Sequence, residues 1–255
     1  RHTRWTSMSR GLGDVYKRQA YGAADLAGVS RLQYSTVMRL IRVMCSGRVD
    51  LDFIFRAFLK GQDGVFIGGC KLDECNYVTH GNYDAFALTH LCKKLLEHIG
   101  LNPKRLRTEF MSGADGNLLA EYTDDFSRQI KELGPLGKSE GMDATLVRFK
   151  LEAVRKLVPY IRLVERERLR VPIKSKQAYI EFFESNEIDV LLDEIFSDKL
   201  AISQILLLLG EKPLSTREIS ARLSLNPSDV SRYMIQSSRH GMVQYDTASN
   251  CYARI

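Results

Sequence analysis

Long apolar runs are missing from this chain. The longest, residues 205–209, falls far short of the roughly 20 residues that a bilayer-spanning helix needs. The first residues also lack the apolar core of a signal peptide, so a cytoplasmic protein with no membrane partner is expected. Nucleotide fingerprints are absent too. Gly68, Gly69 and the Cys-Lys-Leu-Asp that follows make neither G-x-G-x-x-G nor a P-loop, and no G-x-S-x-G elbow or H-E-x-x-H helix occurs elsewhere. Cysteine is scarce: five residues, an odd number unevenly spread, favour metal or redox chemistry over a disulfide framework. Excess charge is concentrated in one place. Of the net +6, a surplus of four sits in residues 1–19, leaving +2 for the remaining 236 residues and a weak case for a polyanionic partner.

The informative feature is where three of the cysteines fall. Residues 37–44 (VMRLIRVM) and 63–69 (DGVFIGG) read as short β-branched strands, each running into a cysteine, Cys45 and Cys70. A helix over 51–60 between them gives a strand, helix, strand unit with parallel strands and a right-handed crossover. Both cysteines then lie at the carboxyl edge of the sheet, where open α/β sheets hold their ligands. Cys75 follows Cys70 at C-x4-C spacing, the first interval of plant-type 2Fe-2S proteins, although Val78 stands where C-x2-C would continue. The glycines of Cys45-Ser-Gly and Gly68-Gly-Cys70 let several backbones approach one cluster. Cys45, Cys70 and Cys75 are therefore the candidate cofactor-binding and metal ligands, and no catalytic residue is identified.

Three thiols leave a four-ligand site one short, so a fourth ligand comes from elsewhere or has been lost. Cys92 shares a helical face with Leu88, Leu95 and Ile99 and reads as a core thiol, and Cys251 lies far away in sequence. His80 could replace a thiolate as in Rieske centres, but those need two histidines. His90 and His98 read as helix-surface residues, and Asp124 and Asp125 as part of a solvated helical face.

Further on, a helix over 83–99, a strand over 106–111 and a helix over 116–133 complete the first domain, with Gly134, Pro135 and Gly137 as its boundary. Charged helices follow over 144–158, where Pro159 interrupts, and over 175–183. Residues 188–209 read as two helices broken near Ser197. The end resembles a winged helix: Ser215 caps one helix, Pro227 to Arg239 form the candidate recognition helix, and a small hairpin closes the chain. Only Arg232, Arg239 and His240 could face DNA, offset by Asp229, so protein docking is the favoured role and DNA binding the lesser one.

Residues 1–19 show no periodicity and are expected to be a non-native or truncated head, similar to read-through runs in fragmentary translated sequences. The first strand of the sheet would then be missing. The resulting organisation is a head (1–19), an iron-sulfur domain (20–135), a helical linker region (136–196) and a winged-helix-like domain (197–255).

With the cysteines placed, the segments AYGAADLAGVSRLQY, IRVMCSGRVD, GVFIGGCKLDECNYVTHGNY and LLEHIGLNPKRLR resemble the delta subunit family of methyl-viologen-reducing hydrogenase over residues 20–135. That resemblance implies an α/β, flavodoxin-like parallel sheet carrying one 2Fe-2S cluster on Cys45, Cys70 and Cys75. It also implies an electron-relay role, as an oxidoreductase subunit without a substrate site of its own, between a hydrogenase or similar donor and the flavin subunit of heterodisulfide reductase. The family's final upstream cysteine falls two residues before the tyrosine of AYGAAD, where this chain has Gln19. The fourth ligand is accordingly expected to be missing and a normal four-thiolate cluster not to assemble. Competing readings are an iron-sulfur transcription regulator that binds DNA through the winged helix, and a zinc-stabilised scaffold.

Overall fold

The computed structural model describes residues 12–16, 18–72, 74–77 and 81–255, with side chains from residue 20 onward. It begins with a strand, β1 (Leu12–Tyr16), where the sequence suggests an irregular head and a missing first strand. That expectation is corrected by pairing. β1 lies in parallel register with both β2 (Met38–Arg42) and β3 (Val65–Gly69), so two neighbours supply the backbone bonds that its own weak β-propensity does not demand. β4 (Leu106–Phe110) completes a four-stranded parallel sheet of order β2-β1-β3-β4.

Helices α1 (Arg18–Val29) and α4 (Gly116–Leu133) pack together on one face around Phe66, Met111 and Phe126. On the other face lie α2 (Leu51–Leu59) and α3 (Asn82–His98), around Ile54, Phe55, Ile67, Leu91 and Leu95. β3 is buried on both faces, which is why VFIGG reads as a continuous apolar run. The chain leaves β1 toward β2 and then crosses back past β1 to β3, so the strand order reverses between β1 and β3. A crevice forms at the carboxyl ends of strands where such a reversal occurs.

The Gly134 to Gly137 segment is held tightly. Arg105 is fully buried and donates to the carbonyls of Asp63 and Gly134 (3.0 Å each) and Pro135 (3.2 Å), while its Nε lies 2.7 Å from Glu140 Oε1. From there α5 (Ala144–Arg168) continues past Pro159 without interruption. Pro159 is exposed, and buried Val154, Val158 and Ile161 carry the apolar face of the helix past it. After α6 (Lys176–Phe183) comes α7 (Asn186–Glu211), one helix of 26 residues with no break at Ser197. The expected break is overridden by the apolar ladder Leu192, Phe196, Leu200, whose i, i+4 spacing carries the buried face past the exposed serine.

The first half of α7 belongs to the core of the α/β sheet and the second half to a separate core with α8 (Thr216–Leu223), α9 (Pro227–Arg239) and an antiparallel hairpin, β5 (Val243–Asp246) and β6 (Cys251–Arg254). A capping box between Ser215 and Glu218 starts α8, and Ser224 in the left-handed region ends it. Among the described residues, no helix is long and apolar enough to cross a membrane.

Candidate metal centre

Cys45 follows β2, Cys70 follows β3, and Cys75 sits in the loop that leads to α3, so all three leave the sheet at its carboxyl edge. Cys45 caps a 3-10 turn, Ser46–Arg48, and its carbonyl accepts from the Arg48 amide at 2.9 Å. Cys45 and Cys70 are 5% and 1% exposed, and Cys75 is half-buried.

Three glycines let the cysteine-bearing segments touch. A Cβ built on Gly69 would stand 3.1 Å from Ser46 Oγ, one on Gly47 would stand 2.5 Å from the Gly81 carbonyl oxygen, and one on Gly81 would stand 2.5 Å from Cys75 Sγ. Any side chain at Gly47 or Gly81 would collide, so the strand-end loops close into one cradle only because those positions are bare. Buried Asn82, the first residue of α3, fastens the third segment by donating to the carbonyls of Cys70 (3.0 Å) and Lys71 (2.6 Å). Lys71 is in turn paired with Asp115 at 3.0 Å, and that contact raises the lysine's pKa.

The donor chemistry suits a thiophilic metal or iron-sulfur cluster, and the buried Ser46 hydroxyl, which has no hydrogen-bond partner among the described residues, supplies a further polar atom in the cradle. The thiols are nevertheless not drawn into a ligating cluster: among the described residues, no group of three or more His, Cys, Asp or Glu could hold a metal ion as arranged. His80 and the side chain of Gln19 lie outside the described residues. The backbone at position 19 is in the first turn of α1, directly after the central strand β1.

Beside the cradle opens a cleft of about 1020 Å³ walled by Met44, Cys45, Phe53 and Tyr77, with Arg42 and Arg48 on its rim. Met44 is 81% exposed, an unusual setting for a large apolar side chain. Asp84 borders this cleft and also a second one beneath the end of α5, which holds Glu165. Sequence reasoning misses Glu165. Burial, with the charges of Asp84 and Asp50 added, pushes its carboxyl up to about 7.

The other candidates fall where packing puts them. Cys92 is wholly buried, and burial holds its thiol well above the ordinary range. His90 and His98 are not surface residues, because α6 and α7 cover that side of α3. His90 stacks on Phe183 (5.3 Å between centroids), and burial lowers its pKa to about 4, while His98 Nε2 lies 2.9 Å from Asp193. Asp124 accepts from the Ser35 amide at 2.7 Å, and Asp125 pairs with Arg128 at 3.2 Å. Cys251 is half-buried in β6. In α9, Arg232 is engaged by Asp198 and Asp229 at 3.4 Å each, and Ile235 is 53% exposed on the same helix.

Residues 15–134 match the family model described as methyl-viologen-reducing hydrogenase, delta subunit. The chain is 44% identical over 121 residues to the iron-sulfur subunit of the vhu F420-non-reducing hydrogenase of Methanococcus maripaludis, covering 48% of this chain and 90% of that one. It is 44% identical over 115 residues to the iron-sulfur subunit of the F420-non-reducing hydrogenase of Archaeoglobus profundus, covering 45% and 83%. A similar 118-residue match, also 44% identical, falls within one subunit of the ferredoxin/F(420)H(2)-dependent CoB-CoM heterodisulfide reductase of Methanosarcina acetivorans. It covers 46% of this chain but only 15% of that much longer protein. Through its α/β region, the chain belongs to the delta subunit family of methyl-viologen-reducing hydrogenase.

Proposed function

We propose that the protein is an electron-transfer subunit whose Cys45, Cys70 and Cys75 thiolates hold a 2Fe-2S cluster at the carboxyl edge of a flavodoxin-like sheet. The observation that carries this reading is the glycine cradle, in which bare positions at Gly47, Gly69 and Gly81 bring the three cysteine segments together. When bound, such a cluster would exchange single electrons. The chain's own part is to supply thiolates, exclude water and present a docking face. Buried Cys45 and Cys70 keep two ligands away from solvent, while the apolar wall of Met44, Phe53 and Tyr77 offers a close approach for a redox partner. The partners this implies, by analogy with the relatives' names, are hydrogenase subunits and a heterodisulfide-reductase-type enzyme.

Three units are proposed with it: the iron-sulfur domain (20–135, to which the structure adds β1), helices that extend it (136–196) and a winged-helix-like domain (197–255). For the last, docking of protein is favoured over DNA, because the recognition helix has its Arg232 neutralised by two acids and bears an exposed isoleucine at its centre.

Anaerobic reconstitution with iron and sulfide, followed by metal and acid-labile sulfide analysis and electron paramagnetic resonance, tests the assignment. The native chain, with Gln19 at the fourth position, should bind substoichiometric iron, and Gln19→Cys should raise the content toward two irons and two sulfides, as expected of a 2Fe-2S cluster. Cys70→Ser and Cys75→Ser should abolish the gain, and Cys92→Ser should not. Unchanged iron in the Cys70 and Cys75 variants would refute the ligand set.

A further inference from the structure

We infer that the outer edge of β4 is a self-association surface whose partner is a second copy of this chain. Among the described residues, β4 ends the sheet, pairing with β3 on one side only. The Met111 amide donates to the Gly69 carbonyl at 2.9 Å, which fixes the alternation of backbone groups. Residues 107 and 109 point theirs toward β3, and residues 106, 108 and 110 point theirs outward. An edge with outward N–H and C=O groups is a template for another strand.

Its sequence, LRTEF, is complementary to itself when reversed. In antiparallel pairing about a two-fold axis through Thr108, Leu106 meets Phe110 of the second copy, Arg107 meets Glu109, and Thr108 meets Thr108. The outward groups of residues 106, 108 and 110 then form about six inter-chain backbone hydrogen bonds. Arg107 and Glu109 fall at the non-hydrogen-bonded positions, where side chains come closest and opposite charges interact best. Within one copy the two are already on the same face, Nε to Oε1 2.7 Å, so each cation would gain a second carboxylate across the axis.

The surroundings fit this occupant. Along the edge runs an open groove of about 660 Å³ between α3 and α4, lined by Lys93, Lys104, Arg107 and Arg128 and by Glu109, Asp125 and Glu132. Charges of both signs in nearly equal number suit an isologous contact rather than a nucleic acid or a strongly acidic peptide. The opposite edge of the sheet supplies a contrast. β2 reads MRLIR, and the same reversal would set Arg39 against Ile41 and Arg42 against Met38, with four arginines and no acid from the two strands.

Sedimentation equilibrium of the full chain at micromolar concentration should give twice the chain mass. Arg107→Glu or Glu109→Arg alone places like charges opposite each other twice and should weaken dimerisation at least tenfold, and the double exchange, Arg107→Glu with Glu109→Arg, should restore it. Thr108→Pro removes the central outward donor and should leave monomer with an unchanged circular dichroism spectrum. If that variant fails to fold, the charge exchange decides. A monomeric native chain, a dimer that survives both single changes, or a double exchange that stays monomeric would overturn the proposal.

Discussion

Two ionisable side chains, one fully buried and one half-buried, sit where the α/β sheet meets the helices that follow it, and they have been treated in opposite ways. Arg105 enters the seam beneath residues 133–140 and finds a carboxylate, a hydroxyl and several carbonyls arranged around its guanidinium. Glu165, under the end of α5, instead faces the carboxylates of Asp84 and Asp50, and the nearby Arg162 is bonded to Asp50. The first seam is closed by a satisfied charge and the second is left responsive to pH. A buried charge with its donors and acceptors matched serves as a rivet, whereas one set among like charges becomes a group that titrates near neutrality.

The strongest way to break this comparison is to remove the rivet. Arg105→Ala leaves Glu140 and four carbonyls facing a void and should cost about 3–5 kcal/mol, read as a lowered denaturant midpoint. A loss under 1 kcal/mol would mean that the seam is held by its apolar contacts alone.

Next in size is Glu165. Its folded-state pKa of about 7 lies above the unfolded 4.5, so the folded state binds more protons across that window, and stability falls as pH rises from 4.5 through 7. Glu165→Gln should remove most of that slope and stabilise the protein at pH 8 by roughly 2 kcal/mol. Parallel stability curves for the two proteins would sink the idea.

His90 offers the smallest and opposite effect. With its folded pKa lowered to about 4 from 6.5, stability falls as pH drops from 6.5 toward 4. His90→Phe should keep the stack on Phe183, change stability at pH 7.5 by less than about 1 kcal/mol, and abolish the acid-limb loss. Nuclear magnetic resonance titration of the imidazole measures the same pKa directly.

How much of this the sequence discloses depends on the range of the interaction. The strands before Cys45 and Cys70 and the crossover between them are written in local periodicity, which is why the carboxyl-edge placement of the three cysteines can be read in advance. The cradle is foreshadowed in part by the glycines of CSG and GGC, whereas the role of Gly81, in contact with Gly47 and Cys75, depends on loops meeting in space. β1 escapes notice because LGDVY has little strand character and is ordered by neighbours 26 and 52 residues away. Arg105, Glu165 and the burial of His90 and His98 are invisible for a related reason: a polar residue on a helix or beside a strand reads as solvated until another element covers it. Ser197 and Pro159 mislead in the other direction, since single-residue signals suggest interruptions that longer apolar ladders outweigh.

The unbroken α7 has a mechanical consequence. At 1.5 Å per residue its 26 residues form a rod about 39 Å long, one end embedded beside the sheet and the other inside the C-terminal module. Whatever holds that module therefore also sets the heading of the cysteine-bearing rim of the sheet, much as a tiller sets the angle of a rudder.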